Sequence, residues 1–515
     1  MSAVGVSAGG AKVVDALSLL ALKVAPNVFD LSSGQSHVSI RDQIVRAQLL
    51  IRDLCEADLV VKKILVVGAG IAGVTAAIAA AHAEIEVRVV DTQAEAFSLQ
   101  RAVQSRFVGP FMYEWPSSFF NNQSYPSGHA GLKPEGSPFS PSWSSAAPIS
   151  AHDLAEQLDT WLAEALLQLT RRPGFWFNAD PIEVASAVKE FARQTGARAT
   201  WTSTGSRYQA PKITPLPLSL KQSSNGLSWQ PFVPDYILLG AGLGTENTHL
   251  PNNSSTGLSV SGPKFWANDS LRAPSTINQS TGVFGGGDGA LQDVMRALTR
   301  FDHPLQMLEH LEKSPTVKAL LNNSRDALLA MDQQSRLFNT WTGNAFATLD
   351  KDCEALARRL AQKTKVRARV LSSFRQGSGT VFHFVRENHF GKAYLLNRFL
   401  VHLIIACREK MAGKLKGYMD YECHFGAQAD QSHTPHSGYR YQVTVTHSAD
   451  FIYRNATGHR AIPKGGHVFD LHEVAVRFGL EKGSTPGAQL ISLSGLDRNT
   501  RTLLAQIPLP FTSLR

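Results

Sequence analysis

The sequence predicts an α/β fold with two Rossmann-like dinucleotide-binding units, an N-terminal helical extension and a helical insertion in the second unit. Two observations lead to this prediction. The apolar run Ile64 to Val67 leads into a glycine-rich turn and an alanine-rich helix, and Gly282 to Phe284 leads into a second glycine-rich turn and helix. The same succession of strand, turn and helix therefore occurs twice in one chain.

The composition is that of a folded protein with a preference for anions. The chain has 515 residues, of which 43% are hydrophobic and 18% charged, which argues against intrinsic disorder and allows two or three domains. Lysine and arginine together number 51 against 42 acidic residues, a net charge of +9, but they form no long basic run. We therefore expect a small-molecule substrate and no nucleic-acid partner.

The cysteines and the amino-terminal residues favour a cytoplasmic location. Four cysteines lie far apart with no C-x-x-C pair, which supports neither a disulfide framework nor a metal site. The apolar stretch Val13 to Ala25 contains Asp15 and Lys23 and is too short to span a bilayer, so it predicts an amphipathic helix. We expect no membrane association, and the helical extension is a candidate surface for a homo-oligomer or a protein partner.

The order of motifs divides the chain into four parts. They are the helical extension at 1–60, the first Rossmann-like unit at 61–250, the second at 280–460, and a carboxyl-terminal segment at 461–515. A Ser-, Pro- and aromatic-rich stretch at 114–150 is too long for an ordinary connection, so it is either a disordered insert or a functional lid. Leucines with helical spacing over 301–372 predict the insertion in the second unit.

The first glycine-rich turn carries a dinucleotide-binding fingerprint. It reads Gly68-Ala69-Gly70-Ile71-Ala72-Gly73 between strand and helix. Gly68 permits the tight turn, Gly70 lets the backbone approach a pyrophosphate at the helix N-terminus, and Gly73 lets helix and strand touch. Asp91, 91 − 68 = 23 residues later, is placed to accept hydrogen bonds from a ribose hydroxyl.

With this fingerprint the chain resembles, over about 62–460, the two-dinucleotide-binding-domain flavoproteins of the thioredoxin and glutathione reductase superfamily, to which flavoprotein monooxygenases are related. The resemblance implies that residues 68–73 and Asp91 bind FAD. It also implies that Ala241 and Gly242, in the turn after Leu239, close the FAD half. An NAD(P)H domain would then open with G-G-G-D-S-A, which is matched here by Gly285-Gly286-Gly287-Asp288-Gly289-Ala290.

Two departures from the superfamily leave alternatives open. The chain lacks a redox C-x-x-C pair, so disulfide reduction of that type is not expected. No convincing Gly-Asp pair occurs in the 515 − 458 = 57 residues after Gly458, where the superfamily carries its last FAD segment. Either Gly285, Gly287, Asp288 and Gly289 bind NAD(P), which the order of motifs favours, or this stretch is itself the terminal FAD motif with Asp288 on the ribityl chain.

Closing strands are expected in both units. The first is Tyr236 to Leu239 before the turn just described. The second is Asp450 to Tyr453, before the small-residue turn Asn455-Ala456-Thr457-Gly458. Each pairs an acidic residue with an apolar strand and a turn, so the second half is predicted to close as the first half does.

Arginines and aromatic residues after Asp91 are candidate cofactor contacts. Arg101 or Arg106 could neutralise a phosphate, and Tyr113 and Trp115 could stack on a flat ring system. The alternative is an aromatic core beneath a long loop.

A further arginine is a candidate for selecting the nucleotide. Arg386 ends the predicted strand Thr380 to Val385 and suits a 2′-phosphate, which favours NADP over NAD. The alternative is a solvated strand end, and Arg367 and Arg369 are rivals for the same role.

The leading hypothesis is an FAD-dependent oxidoreductase that takes hydride from NADPH or NADH and passes it through flavin to a small molecule or oxygen. One alternative is a nucleotide-sensing or regulatory protein with reduced catalysis, and another is a flavin monooxygenase. No catalytic residue is identified, because His383 and His402 lie on apolar elements and are expected to be packed. No G-x-S-x-G or P-loop motif supports a hydrolase or a kinase.

Overall fold

The first unit of the protein alternates strands and helices. The computed structural model describes residues 18–19, 22–31, 39–57, 61–109, 112, 115–116, 139–141, 147–203, 212–220, 226, 228–242, 244–252, 260–337, 344–391, 393–411, 413–433, 440–455, 458–481, 484, 487 and 490. Its elements up to residue 250 are β1 (Lys23–Ala25), β2 (Val28–Asp30), α1 (Ile40–Glu56), β3 (Lys63–Val67), α2 (Ile71–His82), β4 (Glu86–Val90), β5 (Phe107–Val108), β6 (Ile149–Ser150), α3 (Ala151–Gln168), β7 (Gly174–Trp176), α4 (Pro181–Ser203) and β8 (Tyr236–Leu239).

Six of these strands form one sheet, in the order β1-β2-β8-β3-β4-β7. Within this sheet β2, β8, β3, β4 and β7 run parallel, and β1 pairs with β2 antiparallel. Ile64, Leu65 and Val66 in β3 are at most 1% exposed, as expected for a parallel strand covered on both faces. In this sheet β3 has β4, the next strand of the sheet along the chain, on one side and β8, a much later strand, on the other. The turn after β3 therefore lies where the strand order reverses, which is the usual ligand crevice of such sheets.

The amino-terminal residues differ from the predicted helical extension. The helix α1 is present, but β1 and β2 form a hairpin that belongs to the first sheet. Ser18 and Leu19 are helical, but the chain is extended from Lys23 and turns at Asn27 with φ +56°, so the helix predicted over Val13 to Ala25 ends before Lys23. Val24, Val28 and Phe29 are buried in the unit. Burial against β8 therefore overrides the helical pattern, and the described residues before 60 are part of the first unit.

The second unit repeats the architecture and carries the insertion. Its elements are β9 (Ser280–Phe284), α5 (Asp288–Leu298), α6 (Pro304–Glu312), α7 (Pro315–Asn323), α8 (Arg325–Leu337), α9 (Asn344–Ala361), α10 (Thr364–Leu371), β10 (Thr380–Val385), α11 (Leu395–Lys410), β11 (Asp420–Phe425), β12 (Ala427–His433), β13 (Tyr441–His447), β14 (Phe451–Asn455), β15 (Gly458–Ile462), β16 (Gly465–Leu471) and β17 (Glu473–Val476). A four-stranded parallel sheet has the order β11-β10-β9-β17, and β12-β13-β16 form an antiparallel sheet. Helices α6 to α10 confirm the predicted insertion, and the two parallel sheets confirm the predicted fold class.

The closing strand of the second unit is β17 and not the predicted strand at 450–453. β14 pairs antiparallel with β15 in a two-stranded hairpin and does not join β9. β17 pairs parallel with β9, with Val476 opposite Phe284. The second unit therefore continues beyond residue 460. The two candidate strands have similar patterns, and only long-range pairing separates them.

The second unit is inserted into the first through two adjacent segments. Asn247 N–H donates to Gly479 O (2.8 Å), and Glu481 N–H donates to Thr245 O (2.9 Å). Gly487 N–H then donates to Asp30 Oδ2 (3.2 Å), at the end of β2. The chain thus leaves the first unit near 245 and returns near 484, so 461–515 is not one separate segment. Most of the predicted lid at 114–150 lies outside the described residues.

Candidate functional site

The first glycine-rich turn has the geometry that a pyrophosphate requires. Gly68 has φ +105°, and a Cβ there would lie 2.5 Å from Gly240 O. A Cβ at Gly73 would lie 1.9 Å from Gly68 O, so this position joins helix to strand. At Gly70, the N-cap of α2, the nearest atom to an added Cβ is 3.9 Å away. Of these three glycines, Gly70 is the one whose missing side chain leaves open space, and it lies at the helix N-terminus.

The other residues of this motif act through their backbone. The side chains of Ala69, Ile71 and Ala72 are all buried in the first unit. Ala69 N–H is bonded to Asp91, so the amide groups of Ile71 and Ala72, in the first turn of α2, are the ones available to a ligand here.

Asp91 lies against the same turn, directly after β4. Its Oδ2 accepts a hydrogen bond from Ala69 N–H (2.5 Å), and its Oδ1 accepts one from Gln93 N–H (2.7 Å). The carboxylate therefore fixes the turn. Its contact with a ribose hydroxyl stays a prediction.

The second glycine-rich turn repeats the first in its hydrogen bonds. Gly68 N–H donates to Val90 O (2.7 Å), and Gly285 N–H donates to Phe384 O (2.9 Å). Gly285 has φ +131°, and a Cβ there would lie 2.3 Å from Arg477 O. In both units, therefore, a glycine with positive φ follows the first strand. It lies between the second strand of the unit, β4 or β10, and the closing strand, β8 or β17.

The helix that follows each turn also starts in the same way. Gly287 is the N-cap of α5 with φ −97° and ψ −177°, and Gly70 is the N-cap of α2 with φ −75° and ψ −177°. A Cβ at Gly289 would lie 3.2 Å from the Arg477 side chain and 3.3 Å from Phe265, so Gly289 is a packing position. Gly287 is thus the counterpart of Gly70, and the four-glycine stretch opens a second unit.

Asp288 does not have the terminal FAD role, because β9 is not in the first sheet. Its Oδ1 accepts hydrogen bonds from Tyr394 N–H (2.7 Å) and Asn397 Nδ2 (2.8 Å). Tyr394 is the N-cap of α11. The carboxylate therefore joins the first turn of α5 to the start of α11, where it also complements the helix dipole.

Sequence reasoning missed the segment after β17. Arg477 N–H donates to Phe284 O (2.8 Å), as Gly240 N–H donates to Val67 O (2.7 Å). The next residues match as well, because Gly479 has φ +82° and Gly242 has φ +85°. Phe478 therefore has the place of Ala241, and its side chain is 41% exposed. The acidic Glu473 before an apolar strand was the available signal, but the stretch at 450–458 has the same pattern.

Arg386 lies where the prediction placed it. It follows β10 directly, one residue beyond the position that Asp91 has in the first unit, and its side chain is 72% exposed and paired with Glu387 (2.7 Å). The rivals lie in α10, where Arg367 donates to Ala361 O (2.7 Å) and Arg369 donates to His310 O (2.5 Å). Of the three, only Arg386 is at the end of a strand of the parallel sheet.

Arg101 and Arg106 are engaged by protein carboxylates. Arg101 pairs with Glu95 and Asp159, each at 2.8 Å. Arg106 is 2% exposed and pairs with Asp293 and with Asp269 (3.0 Å) in the second unit. A guanidinium buried between two carboxylates is not available to a phosphate, so the assignment of Arg106 as a cofactor ligand is corrected.

Trp115 belongs to the core. It is 5% exposed and stacks on Phe399 of α11 with ring centroids 5.5 Å apart, which supports the packing alternative. Tyr113 lies outside the described residues.

The buried His383 makes a hydrogen bond to the backbone of the second glycine-rich turn. His383 in β10 lies within hydrogen-bond distance of Gly285 O through Nε2 (2.7 Å) and of the Tyr421 hydroxyl through Nδ1 (3.0 Å). Because a carbonyl oxygen only accepts, Nε2 carries the proton and Nδ1 accepts from Tyr421. Burial lowers the pKa of His383 to about 4, against the opposing effect of the bond to Gly285. The neutral ring therefore orients the turn as a structural group.

The described residues contain no group of three or more His, Cys, Asp or Glu side chains that could hold a metal ion. Within the same residues, no helix is both long enough and apolar enough to cross a membrane. The four cysteines are free thiols.

Comparisons with known proteins add a distant likeness in fold. No family model matches the sequence, and no curated protein matches it. Among solved structures, the bacillithiol disulfide reductase of Staphylococcus aureus is 10% identical, with 85% of this chain and 81% of that chain covered and a TM-score of 0.35. The thioredoxin reductase of T. acidophilum is also 10% identical, with 85% and 82% covered and a TM-score of 0.30. At these values, conclusions about function depend on this chain's own residues.

Proposed function

We propose that this chain is a flavin-dependent NAD(P)H oxidoreductase, with FAD at the turn 68–73 and NADP or NAD at the turn 285–290. The observation that carries the proposal is the duplication of one site geometry within a single chain. Each turn has a left-handed glycine, an N-cap glycine and a helix N-terminus at the carboxyl edge of a parallel sheet. Two such sites suit two dinucleotides, one to donate and one to relay a hydride.

The residues of the first site fit a dinucleotide. The open space at Gly70 lets backbone N–H groups of α2 reach a pyrophosphate, and the helix dipole favours its negative charge. Ala241 and Gly242 follow the closing strand on the other side of the crevice. When bound, FAD would supply the electron-accepting ring system, and the chain would bind and orient it.

The residues of the second site fit a nucleotide in a similar way. Gly287 opens α5, Arg386 lies at the end of β10, and Phe478 follows the closing strand β17. Arg386 would pair with a 2′-phosphate, which favours NADP. Phe478 would cover the other half of the nucleotide with an apolar surface.

The electron acceptor is inferred to be a small molecule or oxygen. No two cysteines form a C-x-x-C pair, and Cys353 and Cys407 are buried with pKa values raised by burial, Cys407 to about 12. Such thiols are poor nucleophiles at neutral pH. A redox disulfide of this chain is therefore not part of the proposed electron path.

The test is the absorbance spectrum of the purified full-length protein, with FAD added and excess removed, followed by NADPH oxidation with and without acceptors. We expect bound flavin and NADPH consumption. The Gly287→Val variant should lose NADPH binding and keep flavin, because the two pyrophosphates would bind at separate helices. Nucleotide binding without NADPH consumption across varied acceptors would instead support a sensing protein, and failure to retain any flavin would overturn the proposal.

A further inference from the structure

The loop that follows β10 is fixed at its far end by buried side chains. Phe390 N–H donates to Asp350 Oδ2 (3.2 Å), and Arg398 Nη1 donates to Phe390 O (3.0 Å). Gly391 N–H in turn donates to Gly286 O (2.9 Å), so the loop ends against the second glycine-rich turn. The loop 386–391 thus lies between the glycine turn and two charged residues.

The charged residues come from different parts of the chain. Asp350 belongs to α9 of the helical insertion, and Arg398 and His402 belong to α11. Asp350 Oδ1 accepts from Arg398 Nη1 and from His402 Nε2 (2.9 Å), and the three side chains are at most 6% exposed. A buried ion pair of this kind adds little net stability over apolar packing, because desolvation offsets the attraction. Its specific effect here is to fix the backbone of the loop.

The first unit fixes the corresponding loop without an insertion. There Phe97 N–H donates to Ala69 O (3.0 Å), and Asp91, the residue after β4, turns back to bond Ala69 N–H. In the second unit Phe284 pairs with Phe384 as Val67 pairs with Val90, so the buried Val385 has the position of Asp91, and Arg386 follows it with 72% of its side chain exposed. Val385 has no polar side chain that could bond the glycine turn, and the carboxylate that fixes this loop, at Phe390 N–H, comes from Asp350 of the insertion. The position after the strand is left for an outward-facing cation.

We infer that Asp350 is a positioning residue for the loop 386–391, and that through this loop the helical insertion sets the selectivity of the second site for a nucleotide bearing a 2′-phosphate. The inference rests on the proposed function. Arg386 is the group that contacts the phosphate, and Asp350 acts through the loop backbone. Without the hydrogen bond between Phe390 N–H and Asp350, the loop and the Arg386 guanidinium would sample many conformations. The contact between Arg386 and the 2′-phosphate would then be weaker, because its geometry is not fixed.

The experiment compares the affinities for NADPH and NADH in the full-length protein carrying Asp350→Asn, measured by isothermal titration. Asp352→Asn, an exposed change on the same helix, is the matched control. We expect the NADPH to NADH affinity ratio to fall about tenfold in D350N and to stay unchanged in D352N. Arg386→Ala should lower the ratio by tenfold or more, about 10- to 100-fold, and the double variant D350N/R386A should be no worse than R386A alone.

Amide hydrogen exchange provides a readout that does not depend on nucleotide. Exchange at Phe390 and Gly391 should become faster in D350N while the strand β9 stays protected. If D350N does not fold, His402→Leu, which removes one bond to Asp350, replaces it with the same expected directions.

The outcomes separate the two proposals. Wild-type protein that binds neither nucleotide would overturn the proposed function. Wild-type protein that prefers NADPH, with an unchanged preference in a folded D350N variant, would overturn only the positioning role of Asp350. Wild-type binding without a preference would also overturn that role.

Discussion

The Arg106 guanidinium of the first unit is ion-paired with the Asp293 carboxylate of the second, and neither side chain is more than 2% exposed. Arg296 and Arg477 also contact this carboxylate, at 3.1 and 2.9 Å. Burial opposes ionisation of Asp293, but the three guanidinium groups outweigh it and hold its pKa below the usual range. One carboxylate thus joins the loop after β4 to helix α5 across the two units.

Replacing Asp293 should be costly. Asp293→Asn leaves three buried arginines without their common partner, so we expect a loss of about 3–5 kcal/mol in the free energy of unfolding, measured by urea denaturation. The control is Asp159→Asn, which breaks the more exposed pair with Arg101 and should cost about 0–1 kcal/mol. Equal costs for the two variants would show that the buried cluster does not stabilise the contact between the units.

Gly70→Ala and Gly73→Ala should separate binding from folding. The Cβ added at Gly70 has no protein atom closer than 3.9 Å, so the variant should fold and lose FAD, because the methyl group fills the approach to the pyrophosphate. The Cβ added at Gly73 would lie 1.9 Å from Gly68 O, so that variant should lose stability. Circular dichroism and flavin absorbance measure the two effects. Retention of FAD by folded Gly70→Ala would remove the site assignment.

Arg386→Ala should discriminate between the two nicotinamide nucleotides. A charged hydrogen bond to a phosphate contributes about 1.5–3 kcal/mol, so affinity for NADPH should fall by that amount while affinity for NADH changes little. Arg367→Ala is the control, because this side chain bonds backbone carbonyls within the insertion. A similar loss for both nucleotides would show that Arg386 does not contact the 2′-phosphate.

The buried His383 should make the protein less stable in mild acid. Its folded-state pKa of about 4 lies below the ordinary value of 6.5, so between these values the unfolded chain binds a proton that the native protein does not. Stability from this residue is present in full above pH 6.5 and is lost as the pH falls to about 4. At about 1.36 kcal/mol per pKa unit, the loss is about 3 kcal/mol.

The measurement is urea unfolding between pH 4 and 7 of wild-type protein and His383→Gln, whose amide can still donate to Gly285 O. The variant should show a shallower pH dependence. Some dependence should remain, because burial also lowers the pKa of His447 to about 4 and that of His303 to about 3. Identical pH profiles for the two proteins would contradict the assignment.

The sequence by itself determined the two glycine-rich turns. Their function depends on residues next to each other in the chain, a strand, three glycines and a helix, and such local patterns can be read without the fold. It also predicted the helical insertion and the strand-end position of Arg386. These features follow from periodicity over short windows, which is set by local backbone geometry.

Only the tertiary structure decided how distant segments pair and where buried charges find partners. It placed β1 and β2 in the first sheet, chose β17 instead of the stretch at 450–453 to close the second unit, and buried Arg106 against Asp293. It also brought Asp350 to the loop before α11, 40 residues away from Phe390 in sequence. Strands with the same alternation of residues have the same local preference. Their partners are selected by long-range hydrogen bonds and by the cost of leaving a charge unpaired, which no local pattern encodes.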